Sequence, residues 1–457
     1  MDASATRVSA RSDDGRSFLI PGPVDGFVVG ALVVIDDGER RQLGLVEQLD
    51  EVRGHLRGRL LGLIADGLLD TRATSPFVAA SVTAVDPASV DLLHSATGAA
   101  LEVGTDLTPP GGPAKLLPHR FNRHTFWCGQ SGSGKTYALG VVLEQVIAHT
   151  ALPVVVFDPN SDFVRLGELV QGATGPTADA LRERDIRVLR PNVAGTEPLR
   201  ARFVAMPMAS KAAVLQLDPV VDRREYNALV HLREALDATD LGAVLPTLRS
   251  SDDAVHRELA LRIENLGLME WEVWAGADRA ATEVIAERPD ATVLDLGGFS
   301  TPEQQLVVAL AVLDELWERR EERRPVLLVI DEAHNLCSPQ LDSPVAIAVR
   351  ERLVQIAAEG RKFGLWLLLS TQRPSKVHPG IISQCDNLAL MKMSSPIDLE
   401  GLATYFGYAP TGLIARSPWF RQGEALFAGG FVPAPTLLKM NARVTPEGGV
   451  DVPVPLR

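Results

Sequence analysis

The chain has 457 residues, long enough for two or three domains and a large buried core. Its 58 acidic against 45 basic residues leave a net charge of −13, which excludes a protein that coats nucleic acid with its whole surface but leaves room for a locally basic channel. The longest apolar runs (326–330 and 365–369) are far too short to span a bilayer, residues 1–17 lack a signal-peptide pattern, and Cys128, Cys337 and Cys385 have no metal or disulfide spacing; a cytoplasmic protein without a membrane partner is expected.

Residues 1–17 are polar, mixed in charge and read as a disordered lead. Over 18–107, short β-prone runs (27–35, 42–49, 57–64, 77–85) alternate with turn residues such as Asp36-Asp37-Gly38 and Asp86-Pro87, the pattern of a small β-barrel or sandwich. Thr108-Pro109-Pro110-Gly111-Gly112-Pro113 opens a stiff linker that runs to 118. Residues 119–443 are the expected α/β core, interrupted by a mostly helical insertion over 165–290, and 444–457 form a C-terminal tail.

Within the core, Gly129-Gln130-Ser131-Gly132-Ser133-Gly134-Lys135-Thr136 follows a strand-like run (125–128) and opens a helix-like one (137–143). Two glycines four residues apart followed by Lys and Thr form a phosphate-cradling loop, whose backbone N–H groups and helix N-terminus attract phosphate oxygens. Lys135 is placed to reach the β- and γ-phosphates of ATP, and Thr136 to hold Mg²⁺ through its hydroxyl.

Three later strands carry the remaining chemistry. Pro153-Val154-Val155-Val156-Phe157 ends on Asp158. An arginine cluster follows at Arg182, Arg184, Arg187 and Arg190, read as solvated or ion-paired rather than as a polyanion contact. Thr301-Pro302-Glu303-Gln304 opens a helix, with Thr as cap and Gln reaching back. Val326-Leu327-Leu328-Val329-Ile330 ends on Asp331 and Glu332, suited to a water-mediated Mg²⁺ contact and to activating the attacking water, respectively. Leu365-Trp366-Leu367-Leu368-Leu369-Ser370-Thr371 ends on Gln372, which can sense the γ-phosphate; Arg373 and Lys376 follow on a loop that would carry that report outward, and by analogy with RecA-like cores they are the candidate DNA contacts. Arg361, at the other end of that strand, is a candidate finger donated to a neighbouring subunit, with Arg120 and Arg123 as competitors.

Taken together, GQSGSGKT (129–136), FDPNSDF (157–163), VLLVIDEAHNL (326–336), EGRKFGLWLLLSTQRPS (359–375) and GEALFAGGFVPAPTLLKMNAR (423–443) resemble the HerA/FtsK group of ring-forming ATPases, and HerA-type DNA translocases in particular. The resemblance implies a RecA-like P-loop core with a mostly parallel sheet, an N-terminal barrel, a homohexameric ring, and double-stranded DNA moved by ATP hydrolysis. It also implies that the Gln372 strand lies between the loop and carboxylate strands, and that Arg361 is the finger. One departure is Asp158-Pro159-Asn160-Ser161-Asp162-Phe163, where the family shows Asp-Pro-His-Gly-Glu-Tyr; the carboxylate at Asp162 is kept but shortened.

The letters Asp331-Glu332-Ala333-His334 also suit a DEAH-box helicase, but the residues after His334 are too few for the second RecA-like domain such enzymes need. Two functions remain open: a DNA motor coupled to a nuclease or other effector in end processing or antiviral defence, and a ring scaffold that recruits an effector while ATP controls assembly. A motor requires basic residues on channel-facing loops and DNA affinity that falls steeply with salt.

Overall fold

Along residues 55–63 every second residue is buried, the period-two signature of a strand with one face on a core. The computed structural model describes residues 8–21, 27–50, 52–235 and 241–449, so positions 1–7 of the expected lead and 450–457 of the expected tail lie outside the described residues. The chain divides into two compact units, Met1–Thr150 with Gln372–Ser375 and Cys385–Arg443, and Ala151–Thr371 with Lys376–Gln384 and Val444–Arg457.

The first unit opens with β1 (Val8–Ser12), β2 (Ser17–Ile20), β3 (Leu32–Asp36), β4 (Arg41–Asp50), β5 (His55–Ala65), β6 (Leu68–Asp70) and β7 (Phe77–Ala84). They run β2-β1-β7-β3-β4-β5-β6, and β2 also pairs with β5, which closes a barrel and leaves β6 as an appended hairpin. Phe18, Ile20, Val33, Ile35, Leu60, Phe77 and Val82 fill its interior. Gly58 is required by packing: a Cβ there would stand 2.1 Å from the Leu45 carbonyl oxygen and 2.4 Å from the Phe18 ring.

Two boundaries differ from expectation. β1 falls inside the expected disordered lead, because Ala10 and Ser12 turn inward while Ser9 and Arg11 face solvent, and Ala10 pairs with Ala80 of β7. Its small side chains gave too little hydrophobic contrast to reveal the alternation. The barrel also stops at Ala84. A helix follows at Pro87–Thr97, with the Asp86 carboxylate accepting the Ser89 N–H at 2.7 Å. Beyond it β8 (Leu101–Asp106) pairs with β9 (Pro113–Leu116), so part of the expected 108–118 linker is a strand.

The later strands are β10 (His124–Cys128), β11 (Val154–Asp158), β12 (Ile186–Arg190), β13 (Glu197–Pro198), β14 (Ala291–Asp295), β15 (Val326–Ile330), β16 (Leu365–Thr371), β17 (Cys385–Leu390), β18 (Glu424–Gly429) and β19 (Thr436–Met440). In the first unit β17 lies parallel to β10, and β18, β19, β8 and β9 continue from it antiparallel. The second unit carries a parallel run, β13-β12-β14-β11-β15-β16. β11, β14 and β15 are buried at every residue, as parallel strands covered on both faces must be.

The helix Pro302–Glu318 covers this run, entered through Thr301 and Pro302; Gln304 reaches back to donate to Ser300 Oγ at 3.0 Å. The segment 165–290 is mostly helical but also supplies β12 and β13, which were hidden because only Leu189 of Ile186–Arg190 is fully buried. Its arginines are ion-paired: Arg182 with Asp179, Arg184 with Asp290 at 3.6 Å, Arg187 with Asp185 at 2.9 Å, and Arg190 with Asp295 at 2.8 Å. Among the described residues no helix is long and apolar enough to cross a membrane.

Candidate functional site

β10, buried throughout, ends at Cys128 and hands the chain to the loop 129–136. Burial pushes the Cys128 thiol far up, so it stays neutral and packs as a small hydrophobe. Gly132 and Gly134 have φ of 76° and 84°, the left-handed region that glycine tolerates. Gly129 is fixed by space: a Cβ would stand 2.7 Å from Ser133 Oγ and 2.8 Å from Met391 Cβ. The loop is held from outside by two main-chain bonds. Gln130 N–H donates to the Lys392 carbonyl at 2.8 Å, and Gly423 N–H to the Ser133 carbonyl at 2.9 Å.

The helix Lys135–His149 begins at Gly134 with no side-chain cap, so its first N–H groups are offered to a ligand. Ser131 and Gly132 are exposed, Gln130 and Thr136 half-buried, and Lys135 is only 4% exposed. Ser133 Oγ is buried without a hydrogen-bond partner. An uncapped helix start, a buried ammonium and an orphaned hydroxyl on one loop fit a phosphate group. Thr136, on the first helical turn, offers the hydroxyl a phosphate-bound Mg²⁺ takes, and such an ion keeps most of its other ligands from water and phosphate.

In the second unit β11 and β15 are neighbours and both end on acids. Asp158 is wholly buried; its Oδ1 accepts the Asp162 N–H at 3.0 Å and its Oδ2 the Phe163 N–H at 2.7 Å. Burial lifts its pKa to about 7 against those two N–H groups, with the Asp331 and Asp162 carboxylates adding to the rise. Ser161 takes φ 61° and its hydroxyl donates to Asp295 Oδ1 at 2.6 Å. The departure at 158–163 is therefore a tight turn wrapped on Asp158, and the Asp162 carbonyl accepts the Gly448 N–H at 2.9 Å.

Asp331 and Glu332 follow β15, 0% and 4% exposed. Asp331 N–H donates to the Phe157 carbonyl at 3.1 Å. Glu332 takes φ 43°, ψ 50°, a left-handed conformation that costs a non-glycine residue on the order of 1–3 kcal/mol and that clusters at functional sites. His334, which the sequence reading passed over once the DEAH-box was rejected, joins this group. Its Nδ1 lies 3.3 Å from Glu332 Oε2 and 3.1 Å from Thr371 Oγ1. The signal available in sequence was an imidazole two residues beyond a candidate base; Thr371, 37 residues further on, gave none.

Gln372 is half-buried immediately after β16, and Arg373 and Lys376 are exposed on the turn that follows, where Ser375 N–H donates to Asp398 Oδ1 at 3.0 Å. Arg361 is exposed in the turn Gly360–Phe363, at the opposite end of β16 from Thr371. Arg120 is exposed, and Arg123 pairs with Asp386 at 3.5 Å.

A loop of this shape at the start of a helix, on a chain with a buried parallel sheet, defines a P-loop ATPase. The solved structure of VirB4 from Thermoanaerobacter pseudethanolicus shares the fold, with a TM-score of 0.52 at 16% identity over 76% of this chain and 97% of that one. Residues 101–316 match the family described as the central domain of the helicase HerA. A probable helicase of Methanocaldococcus jannaschii is 30% identical over 141 residues, 31% of this chain and 26% of that protein. The DNA double-strand break repair helicase HerA of Pyrococcus furiosus is 23% identical over 414 residues, 77% of this chain and 72% of that one. Over these segments the chain is similar to HerA-type ATPases; the matched stretches span only 26% and 28% of the length of the first M. jannaschii relatives.

Proposed function

We propose that this protein hydrolyses ATP to move double-stranded DNA through a homohexameric ring, coupled to a nuclease or other effector protein in the cytoplasm. The observation that carries the reading is the phosphate loop, folded with Gly132 and Gly134 left-handed and Lys135 buried at an uncapped helix start, on a chain similar to HerA-type ATPases. Lys135 neutralises the β- and γ-phosphates, while backbone N–H groups of 129–134 cradle them. Thr136 and, through water, Asp331 are the residues that would hold a Mg²⁺, which would screen phosphate charge. Glu332 takes the proton of the attacking water, with His334 orienting its carboxylate. Gln372 reports the γ-phosphate to the turn bearing Arg373 and Lys376, the DNA contacts, and Arg361 completes a neighbouring subunit's site. Support for the DNA load comes from the relatives, since the P. furiosus protein is named a DNA double-strand break repair helicase.

The test is ATPase activity with and without duplex DNA on an assembly of determined mass. Stimulation by DNA, lost progressively with salt, is expected of the motor. Turnover indifferent to DNA on an intact ring overturns transport and leaves a scaffold whose assembly ATP controls.

A further inference from the structure

Trp419 is the one tryptophan of six that stands in solvent, 78% exposed, while the other five are buried or half-buried. Exposure alone is ordinary for a single apolar side chain, but an indole this open has its ring face free to stack, and each such ring withdrawn from water is a sizeable apolar gain. The segment bearing it is tied at both ends to the phosphate loop or its supports. At the near end, Ser417 Oγ donates to the Met393 carbonyl at 3.2 Å, and the adjacent Lys392 carbonyl receives the Gln130 N–H. At the far end, Gly423 N–H donates to the Ser133 carbonyl, and Gln422 Cγ lies 3.4 Å from where a Gly134 Cβ would be.

Between these ties the chain is stiff. Trp419 N–H donates to the Arg416 carbonyl at 3.0 Å, Phe420 is buried behind it, and Arg421 N–H donates to Glu424 Oε2 at 2.8 Å. Gly423 lies four steps along the chain from Trp419, a reach of at most roughly 14 Å, comparable with the length of a nucleoside triphosphate. Arg416 and Arg421 flank the indole, both exposed and neither ion-paired among the described residues.

The geometry points to Trp419 as a stacking platform for the nucleobase of the triphosphate held by the loop 129–136, a subsite that rests on the nucleotide reading above. The phosphates are recognised by backbone and Lys135, which are blind to the base; the indole supplies the aromatic face that a flat heterocycle prefers. Arg416 and Arg421 add positive charge on either side, which favours the polyanion whichever base it carries. Purines, with the larger stacking surface, bind more tightly than pyrimidines.

The experiment compares ATP, CTP and inorganic tripolyphosphate, each with Mg²⁺, on the full-length assembled protein as wild type, Trp419→Ala and Trp419→Phe. Trp419→Ala weakens ATP about tenfold, the size of one lost base–aromatic stack. Trp419→Phe recovers most of that loss, tripolyphosphate binds all three proteins alike, and ATP quenches an indole emission that Trp419→Phe lacks. Unchanged ATP affinity in Trp419→Ala overturns the platform, including where that variant instead loses assembly or DNA binding. A parallel loss of tripolyphosphate also overturns it, because the segment then supports the loop rather than the base. A wild type that takes tripolyphosphate as well as ATP refutes the platform alone; one that binds neither refutes the nucleotide site and the platform with it.

Discussion

β11 and β15 are adjacent parallel strands, apolar up to Asp158 at the end of one and Asp331 after the other, yet they hold their acids in different ways. At β11 both oxygens of Asp158 are taken by main-chain N–H groups of its own turn, and burial keeps the group near neutrality. At β15 the backbone of Glu332 is forced left-handed, and its carboxylate meets a side chain, the His334 imidazole, which reaches on to Thr371 beside Gln372. An acid that accepts from its own turn shapes the chain. One held in a left-handed backbone against an imidazole is positioned at an energetic cost, the kind of feature that clusters at functional sites.

If that contrast holds, Glu332→Gln has the largest effect. It should bind ATP within about threefold of wild type yet hydrolyse it at least ~100-fold more slowly, as expected for a lost general base. Near-normal turnover would remove Glu332 from the mechanism and erase the difference between the two strand ends. A smaller effect is expected for His334→Ala. As a residue that orients the base without touching substrate, it should lower kcat by roughly tenfold and leave KM nearly unchanged. A rise in KM at constant kcat would mean that the imidazole serves binding instead.

Much of this was readable in the amino-acid order, for physical reasons. A parallel strand covered on both faces is apolar along most of its length, so β11, β15 and β16 announced themselves, and the first polar residue marked the ends of β11 and β15. The loop 129–136 was legible because glycine is the residue that takes the left-handed turns at 132 and 134 without strain. β1 and β12 were not, since one is made of small residues and the other buries a single leucine among arginines. Sequence assigned the chemistry to Asp331 and Glu332 rather than to Asp158, but it could not show how the two strand ends hold their acids. That distinction lies in which N–H groups fold back, in the sign of one φ, and in a histidine–threonine contact across 37 residues.

The smallest catalytic effect belongs to Asp158→Asn, and it tests the contrast from the other side. Turnover should stay within about threefold of wild type, because the turn on Asp158 is structural. Stability should fall by about 1–3 kcal/mol, since an amide nitrogen replaces one of two acceptors and leaves a buried N–H without its partner. The pH dependence carries the sharper signature. The folded pKa of about 7 stands above the ordinary 3.8, so between these values the folded protein holds a proton that the unfolded chain has lost. Wild-type stability therefore falls as pH rises from about 4 to 7, by up to about 1.4 kcal/mol per pH unit, and levels off above. Urea midpoints of the nucleotide-free protein at pH 5, 6 and 7 should show this slope in wild type and a flatter one in Asp158→Asn. Equal slopes would mean that the Asp158 carboxyl is not held neutral. A variant of wild-type stability without ATPase activity would put Asp158 in the site and make both strand ends catalytic.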